Sequence, residues 1–368
     1  MKAVQIFDYN QPVRLVDVPE PRIEQPSDVI VRVGGAGVCR TDLHILEGIW
    51  REALGNPHLP YTIGHENAGW VEAVGAGVTT VKPGDPVILH PQPSCGLCRA
   101  CRAGNDMHCT NAYFPGLDGH DGGYAQYVRT SIRAVVPLAP GTDPVPLAPY
   151  ADAGITAYHA VKKLVPLTYP GSTVAVIGIG GLGHFGVQLL KVMTPASIVA
   201  VDTAEERLAF AKRLGADHAV LSGQDGGVRE VLDFTGGGAD VVLDFVGEKG
   251  TPETALKMLR KGGTYSIVGY GGTVAPTTLQ MIFSELSIIG NLVGTYNDLV
   301  ELMELAHQGK VQIASQTFPL ADANDVLHAL DAGKIVGRAV LMPEQRPAAA
   351  TPTGTPAAQQ APAGQASS

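Results

Sequence analysis

Cysteine is scarce in this chain of 368 residues: there are five, and four of them fall within positions 95–109. A secreted fold stapled by disulfides would spread them in pairs, so the clustering favours a metal over disulfides. Long apolar runs are missing too, and none approaches the roughly 20 residues that a membrane span needs. Positive charge is nowhere concentrated: 26 basic residues face 35 acidic ones, a net charge of −9, with no Lys/Arg cluster. That excludes the electrostatic footprint of a nucleic-acid partner. The segment 1–7 lacks the apolar core and cleavage site of a signal peptide. The expectation is a cytoplasmic protein whose partner is a small molecule, with neither nucleic acid nor membrane.

Glycine, by contrast, is abundant. The 45 glycines recur through the body of the chain, as they do where backbone must turn tightly or approach a ligand. The length allows two domains, each with its own core. Residues 1–150 read as β-rich, with short runs at 29–33 and 69–74 set between Gly/Pro punctuation. From about 151 the pattern changes. Strands are predicted over 173–177, 197–201, 239–245 and 263–268, with helices over 182–193 and 204–214 and the segment 252–261 between the last two strands. Strands alternating with helices indicate a parallel, doubly wound sheet. A further strand is expected over 287–293 and helices over 298–308 and 321–332. The segment 344–368 is rich in Ala and Pro, with almost no large apolar groups, and is expected to be disordered.

Gly178-Ile179-Gly180-Gly181-Leu182-Gly183 is a complete G-x-G-x-x-G. Alone it is a weak signal in so glycine-rich a chain. Here it closes a predicted strand and opens a predicted helix, and the next strand ends on Asp202, where an acid can meet the adenosine ribose. The glycines let backbone approach a pyrophosphate at the helix N-terminus. A carboxylate accepts from a free 2′-hydroxyl and repels a 2′-phosphate, so NAD is expected over NADP. Arg207 could soften that repulsion or simply pair with a nearby acid. Thr203, Val246 and Val268 are further candidate cofactor contacts.

Cys95-x-x-Cys98-x-x-Cys101, with Cys109 following, offers four thiolates. Four sulfurs close a tetrahedron around zinc and leave no open position, the mark of a structural site. An iron–sulfur cluster is the rival for four cysteines, with nothing else in the chain pointing to electron transfer. The fifth cysteine, Cys39, opens Cys39-Arg40-Thr41-Asp42-Leu43-His44. Further on, Gly64-His65-Glu66-Asn67-Ala68-Gly69 continues to Gly75 and Val78. Singly, each has a bland reading: a lone Cys is a small buried hydrophobe, and a His beside a Glu is merely hydrogen-bonded.

Together they match G-H-E-x-x-G-x(5)-G-x(2)-V, and from residue 1 to about 343 the chain resembles the zinc-dependent medium-chain alcohol dehydrogenases. The resemblance implies an α/β fold: a GroES-like, β-rich catalytic domain over 1–150, to which 293–343 return, and a Rossmann doubly wound parallel-sheet domain over 151–292. It implies NAD and two Zn²⁺ per subunit. Cys39 and His65 would ligate the catalytic zinc, with Glu66 a close or intermittent ligand. Where many relatives have a third cysteine, this chain has Asp152. Without the resemblance, Asp152 reads as a helix N-cap; with it, ligation is expected, since one thiolate plus one carboxylate offset Zn²⁺ as two thiolates would.

The remaining roles are likewise carried over. Thr41 would receive the alcohol proton and His44 would pass it to solvent, by way of the cofactor ribose in relatives. Asp42 would accept the other ring N–H of His65. Arg40 and Arg338 would reach the pyrophosphate, and Thr156 would lie near the nicotinamide. Trp50, Pro91 and Leu292 are candidate pocket residues, mostly apolar, which suggests a medium-sized hydrophobic alcohol. A polyol dehydrogenase is the nearer alternative and a non-catalytic NAD-binding sensor the remote one. A zinc-free quinone or enone reductase would lack the catalytic ligands and the four-cysteine lobe. The strand at 287–293 resembles the one that pairs across the two-fold in relatives, so a homodimer or homotetramer is expected.

Overall fold

The computed structural model describes residues 1–223 and 225–344; beyond Glu344, the disorder expected for the tail lies outside the described residues. The first part of the chain runs through β1 (Lys2–Ile6), β2 (Arg14–Asp17), β3 (Asp28–Val38), α1 (Arg40–Leu46), β4 (Tyr61–Thr62) and β5 (Glu66–Val74). It continues with β6 (Pro86–Leu89), α2 (Arg99–Arg102), β7 (Tyr127–Ser131) and β8 (Val135–Pro137). Next come α3 (Ala153–Leu164), β9 (Thr173–Ile177), α4 (Gly183–Met193), β10 (Ser197–Asp202), α5 (Glu205–Leu214) and β11 (His218–Leu221). Then follow α6 (Val228–Thr235), β12 (Ala239–Asp244), α7 (Thr251–Met258), β13 (Leu259–Ile267), α8 (Thr278–Ser284) and β14 (Ser287–Gly290). The last stretch is α9 (Tyr296–His307), β15 (Ser315–Pro319), α10 (Ala323–Asp331) and β16 (Arg338–Met342). None of these helices is long and apolar enough to cross a membrane.

Two sheets organise the molecule. The parallel one has the order β11-β10-β9-β12-β13-β14. Its centre, β9, is Thr-Val-Ala-Val-Ile and wholly buried. Alternate side chains serve two cores: Val174 and Val176 meet Phe185 and Leu189 of α4, while Ala175 and Ile177 meet Val199 and Tyr265. A strand covered on both faces has no polar side to show, which is why the run reads as continuous hydrophobe. Strand order reverses between β9 and β12, and a crevice opens beyond the carboxyl ends of the strands at such a point.

The other large sheet is mainly antiparallel, in the order β15-β16-β3-β5-β6-β8, with β7 on β3. Gly69 is required in it: a Cβ there would sit 2.1 Å from the Arg32 carbonyl oxygen on the neighbouring strand. The returning β16 pairs antiparallel with the end of β3, Ala339 opposite Val38 and Leu341 opposite Ala36. Opposite Gly37 on the other flank stands Glu66. The strand expected over 29–33 is therefore twice as long, because its glycine-rich end is needed to bring three strands together. The strand expected over 287–293 stops at Gly290, where Asn291 turns its side-chain amide onto Ser266 Oγ (3.0 Å) and the Ile267 carbonyl (2.9 Å). β11, α6 and α8 were not anticipated; all three are short, at four, eight and seven residues.

α9 is fastened to α3 by charge. Asp298 accepts from His159 Nδ1 (2.8 Å), Lys162 Nζ (2.9 Å) and the Thr295 amide (2.9 Å). Burial works against the ionised carboxyl, yet these three donors hold it far below the ordinary carboxylate range. A depressed pKa contributes stability above the unfolded value and loses it as pH falls. Asp298→Asn is expected to cost about 2–3 kcal/mol at pH 7, read by thermal unfolding. The gap from the parent protein should close as pH is lowered below about 4; a gap constant with pH would show that charge is not its source.

Candidate active site

β3 delivers Cys39 to the start of α1, and three residues later Asp42 turns back into the protein. Asp42 Oδ2 accepts from the Cys39 amide (2.9 Å) and the Tyr124 hydroxyl (2.8 Å). Its other oxygen faces His65 Nδ1 at 3.3 Å, outside hydrogen-bond geometry. Asp152 stands at the N-terminus of α3, but its carboxylate caps nothing there. Its Oδ2 lies instead 3.5 Å from His65 Nε2 and 3.9 Å from Cys39 Sγ. One ligand atom from each of Cys39, His65, Glu66 and Asp152 falls within 4.8 Å of all the others. Ligand bonds of about 2.0–2.3 Å at tetrahedral angles separate ligand atoms by roughly 3.3–3.8 Å, so the set is shaped for such an ion.

Its chemistry agrees. Both ring nitrogens of His65, Asp42 Oδ1 and Glu66 Oε2 are buried without a hydrogen-bond partner. Burial disfavours a charged His65, but Asp42 and Asp152 outweigh it and raise its pKa well above the ordinary range. The cluster demands positive charge, and a divalent cation supplies it in place of the proton. Glu66 is divided between neighbours: Oε1 accepts from Arg338 Nη2 and, at 3.3 Å, from the Ala153 amide. Burial pushes the Glu66 carboxyl up to about 7 against the pull of the Arg338 guanidinium.

The second cluster is the lobe around α2. Sulfur separations are 3.5 Å for Cys98–Cys101, 3.4 Å for Cys95–Cys109 and 4.0 Å for Cys95–Cys101. All five cysteines are free. Amides of Leu97 and Cys98 point at Cys95 Sγ from 3.5 and 3.4 Å and draw its thiol down to about 6. Amide donors of this kind favour the thiolate, the form that binds a metal.

A cleft of about 910 Å³ runs along the carboxyl edge of the parallel sheet. Gly178, Gly180, Gly181, Leu182 and Gly183 form its floor, and Thr203, Arg207 and Val246 line it. Gly183 admits no side chain, since a Cβ would lie 1.8 Å from the Gly178 carbonyl oxygen. Asp202 accepts from the amides of Ile179 (2.7 Å) and Ala204 (3.0 Å), and Arg207 stands 3.6 Å away. The acid beside Arg207 is Asp202 itself, so this contact is common to both readings of Arg207. Arg40 and Arg338 reach the wall, as does Cys39, so cleft and ligand cluster share a residue. Thr156 and Val268 are not on that wall; Thr156 is buried in the first turn of α3.

The sequence matches the family model of the alcohol dehydrogenase GroES-like domain over residues 25–140 and that of the zinc-binding dehydrogenases over 181–308. It is 38% identical to an alcohol dehydrogenase of Geobacillus stearothermophilus over 93% of this chain and 99% of that one. The chain belongs to the zinc-dependent medium-chain alcohol dehydrogenase family. An NAD-dependent alcohol dehydrogenase of Sulfurisphaera tokodaii is 35% identical over 93% of this chain and all of its own length. The crystal structure of the alcohol dehydrogenase from Aeropyrum pernix superposes with a TM-score of 0.90 at 51% identity, covering 93% of this chain and 100% of that one.

Within this family member, two polar contacts were not foreseen. Tyr124 holds Asp42, as above. Tyr270 Oη lies 3.2 Å from Thr41 Oγ1 and 2.5 Å from His44 Nδ1, joining the two expected proton carriers. A signal for Tyr270 existed: it stands three residues beyond β13, on the edge of the sheet where crevices form. Of the pocket candidates, Trp50 packs edge-on to Tyr270 with centroids 5.0 Å apart. Pro91 lies beside His65, whereas Leu292 is about half exposed, at 49%.

Arg338 is 4% exposed and its counter-charge is Glu66. Glu66→Gln leaves that guanidinium buried without the negative charge, and the expected loss is about 3–5 kcal/mol of stability. Denaturant unfolding checks it: an unchanged midpoint would mean that the ion pair contributes nothing net.

Proposed function

We propose that the chain is a zinc-dependent alcohol dehydrogenase passing a hydride between a primary or secondary alcohol and NAD, with aldehyde or ketone as product. The observation that carries this is the meeting of the ligand set Cys39, His65, Glu66 and Asp152 with a glycine-floored cleft that shares Cys39. When bound, zinc supplies a Lewis acid for the alcohol oxygen and NAD accepts the hydride.

Cys39, His65 and Asp152 would hold the catalytic ion, with Glu66 close by; the four cysteines of the α2 lobe would hold a second, structural one. Thiolate and carboxylate together offset its charge, and three firm ligands leave a position for substrate. Asp42 faces His65 Nδ1 from behind at 3.3 Å and would orient the ring by accepting its N–H. The glycine motif receives the pyrophosphate, Arg40 and Arg338 attend its charge, and Asp202 meets the adenosine ribose. Thr156 and Val268 would line the nicotinamide from the core side. Thr41 takes the alcohol proton and His44 delivers it to solvent; burial and then Arg40 hold His44 below its ordinary pKa, so it is neutral and able to accept at pH 7. Trp50 and Pro91 suit an apolar alcohol. Reduced thiols fit a cytoplasmic setting.

Domain limits of 1–150 with 293–343, and 151–292, are part of this reading, supported by the separate sheets. So is a homodimer. β14 is the last strand of its sheet, and beside it Leu279, Ile282 and Phe283 are 64%, 72% and 70% exposed. An unpaired edge next to apolar side chains is covered most simply by a second copy in two-fold pairing.

Three measurements test the reading: turnover, bound zinc and oligomer size. Purified protein with a panel of alcohols should reduce NAD in preference to NADP, read as absorbance at about 340 nm, and lose turnover with chelator. Asp152→Ala should cut kcat/KM roughly 100-fold or more, while Cys98→Ser should lower bound zinc by about half. No turnover on any alcohol, with both metals bound, would sink the alcohol assignment. In light scattering the parent should be a dimer or larger, and Phe283→Asp should shift it towards monomer.

A further inference from the structure

We infer that the Tyr270 hydroxyl is the protein's own proton link between Thr41 and His44. The inference rests on the dehydrogenase reading above and departs from it at one link: a hydroxyl borne by the chain stands where the resemblance implies the cofactor ribose. Thr41 and His44 stand on α1, whereas Tyr270 comes from the loop after β13 of the nucleotide-binding sheet. The three therefore meet only where the two sheets face each other across the cleft.

The contacts are directional. Thr41 Oγ1 can donate to Tyr270 Oη at 3.2 Å, and Tyr270 can donate to His44 Nδ1 at 2.5 Å. Two further contacts hold the phenol: the His44 ring meets it edge-on at 5.1 Å and 70°, and Trp50 at 5.0 Å and 61°. Burial raises the Tyr270 hydroxyl to about 12, so it keeps its proton at neutral pH and can relay one only by receiving as it gives. His44 is the acceptor at the end of the line. Arg40 and Glu47 from its own segment and Glu248 from beyond β12 face it; Cys39, His65 and Asp152 act on Tyr270 from the ligand cluster.

The step balances. Bound NAD would accept the alcohol C–H electron pair as hydride, while the O–H pair becomes the second carbon–oxygen bond. The freed proton passes to Thr41 Oγ1, the Thr41 proton to Tyr270 Oη, and the Tyr270 proton to His44 Nδ1. Both hydroxyls end neutral. The imidazole carries one added proton and releases one from Nε2 to water, which requires the Nε2–H tautomer at the start.

Tyr270→Phe tests this, because it keeps the ring against Trp50 and removes only the hydroxyl. With saturating alcohol and NAD, kcat at pH 7 should fall roughly tenfold or more, with KM within about twofold. The deficit should shrink as pH rises and hydroxide takes the proton directly. In the double variant Tyr270→Phe/His44→Gln the loss should not exceed that of the worse single variant, since both act on one path. A readout independent of turnover is the His44 imidazole titration by NMR in the cofactor-free protein, whose midpoint should move in Tyr270→Phe. An unchanged kcat–pH profile, or losses that add, would overturn the relay. A parent protein inactive on all alcohols would instead overturn the dehydrogenase reading, and the His44 titration would still decide whether Tyr270 binds that imidazole.

Discussion

One buried carboxylate joins the parts on which everything else depends. Glu66 opens β5, accepts the guanidinium of Arg338 at the start of β16, and accepts the first amide of α3. It thereby ties the large antiparallel sheet, the returning end of the chain and the entry to the nucleotide-binding half at one point. An ion pair without water is tolerated only when its partners are held together on both sides. Here the β3 backbone does the holding, with β16 on one flank and β5 on the other. Asp152 precedes the amide that Glu66 accepts, so the same contact that closes the fold sets the aspartate facing His65.

From that point the site extends in two directions. Inward lie Cys39, His65 and Asp152, backed by Asp42 and Tyr124. Outward lies the cleft, where Arg338 abuts Gly181 so closely that a Cβ there would come within 2.6 Å of Nη1. The guanidinium thus stands between Glu66 of the ligand set and the glycines proposed to receive a pyrophosphate. Charge drawn towards one side is felt on the other.

Much of the fold was legible in the chain. The run 173–177 is apolar at every position but its first, as a strand buried on both faces requires, and the glycines after it fall where that strand turns into a helix. Edges were less legible. The strand predicted at 287–293 breaks at Asn291, whose side chain finds partners on β13 that no local pattern announces. β3 reads as a five-residue strand because Gly34, Gly35 and Gly37 resemble punctuation; they are strand because three backbones crowd there.

The sequence by itself determined the kinds of group present: four thiols at closed-site spacing, a glycine-rich turn between strand and helix, and a Cys and a His in one family's signature. Those are local facts, set by spacing along the chain. Only the tertiary structure decided which distant groups share a site. From its own neighbours Asp152 reads as a helix start; the resemblance set it among the ligands, and the structure places it 3.5 Å from His65. Arg338 and Glu66 are 272 positions apart and become partners only through the return of β16. Tyr270 acquires a role only because the two sheets face each other. Burial is the reason in each case: a polar group taken from water must find its partner in space, and sequence distance places no limit on where that partner lies.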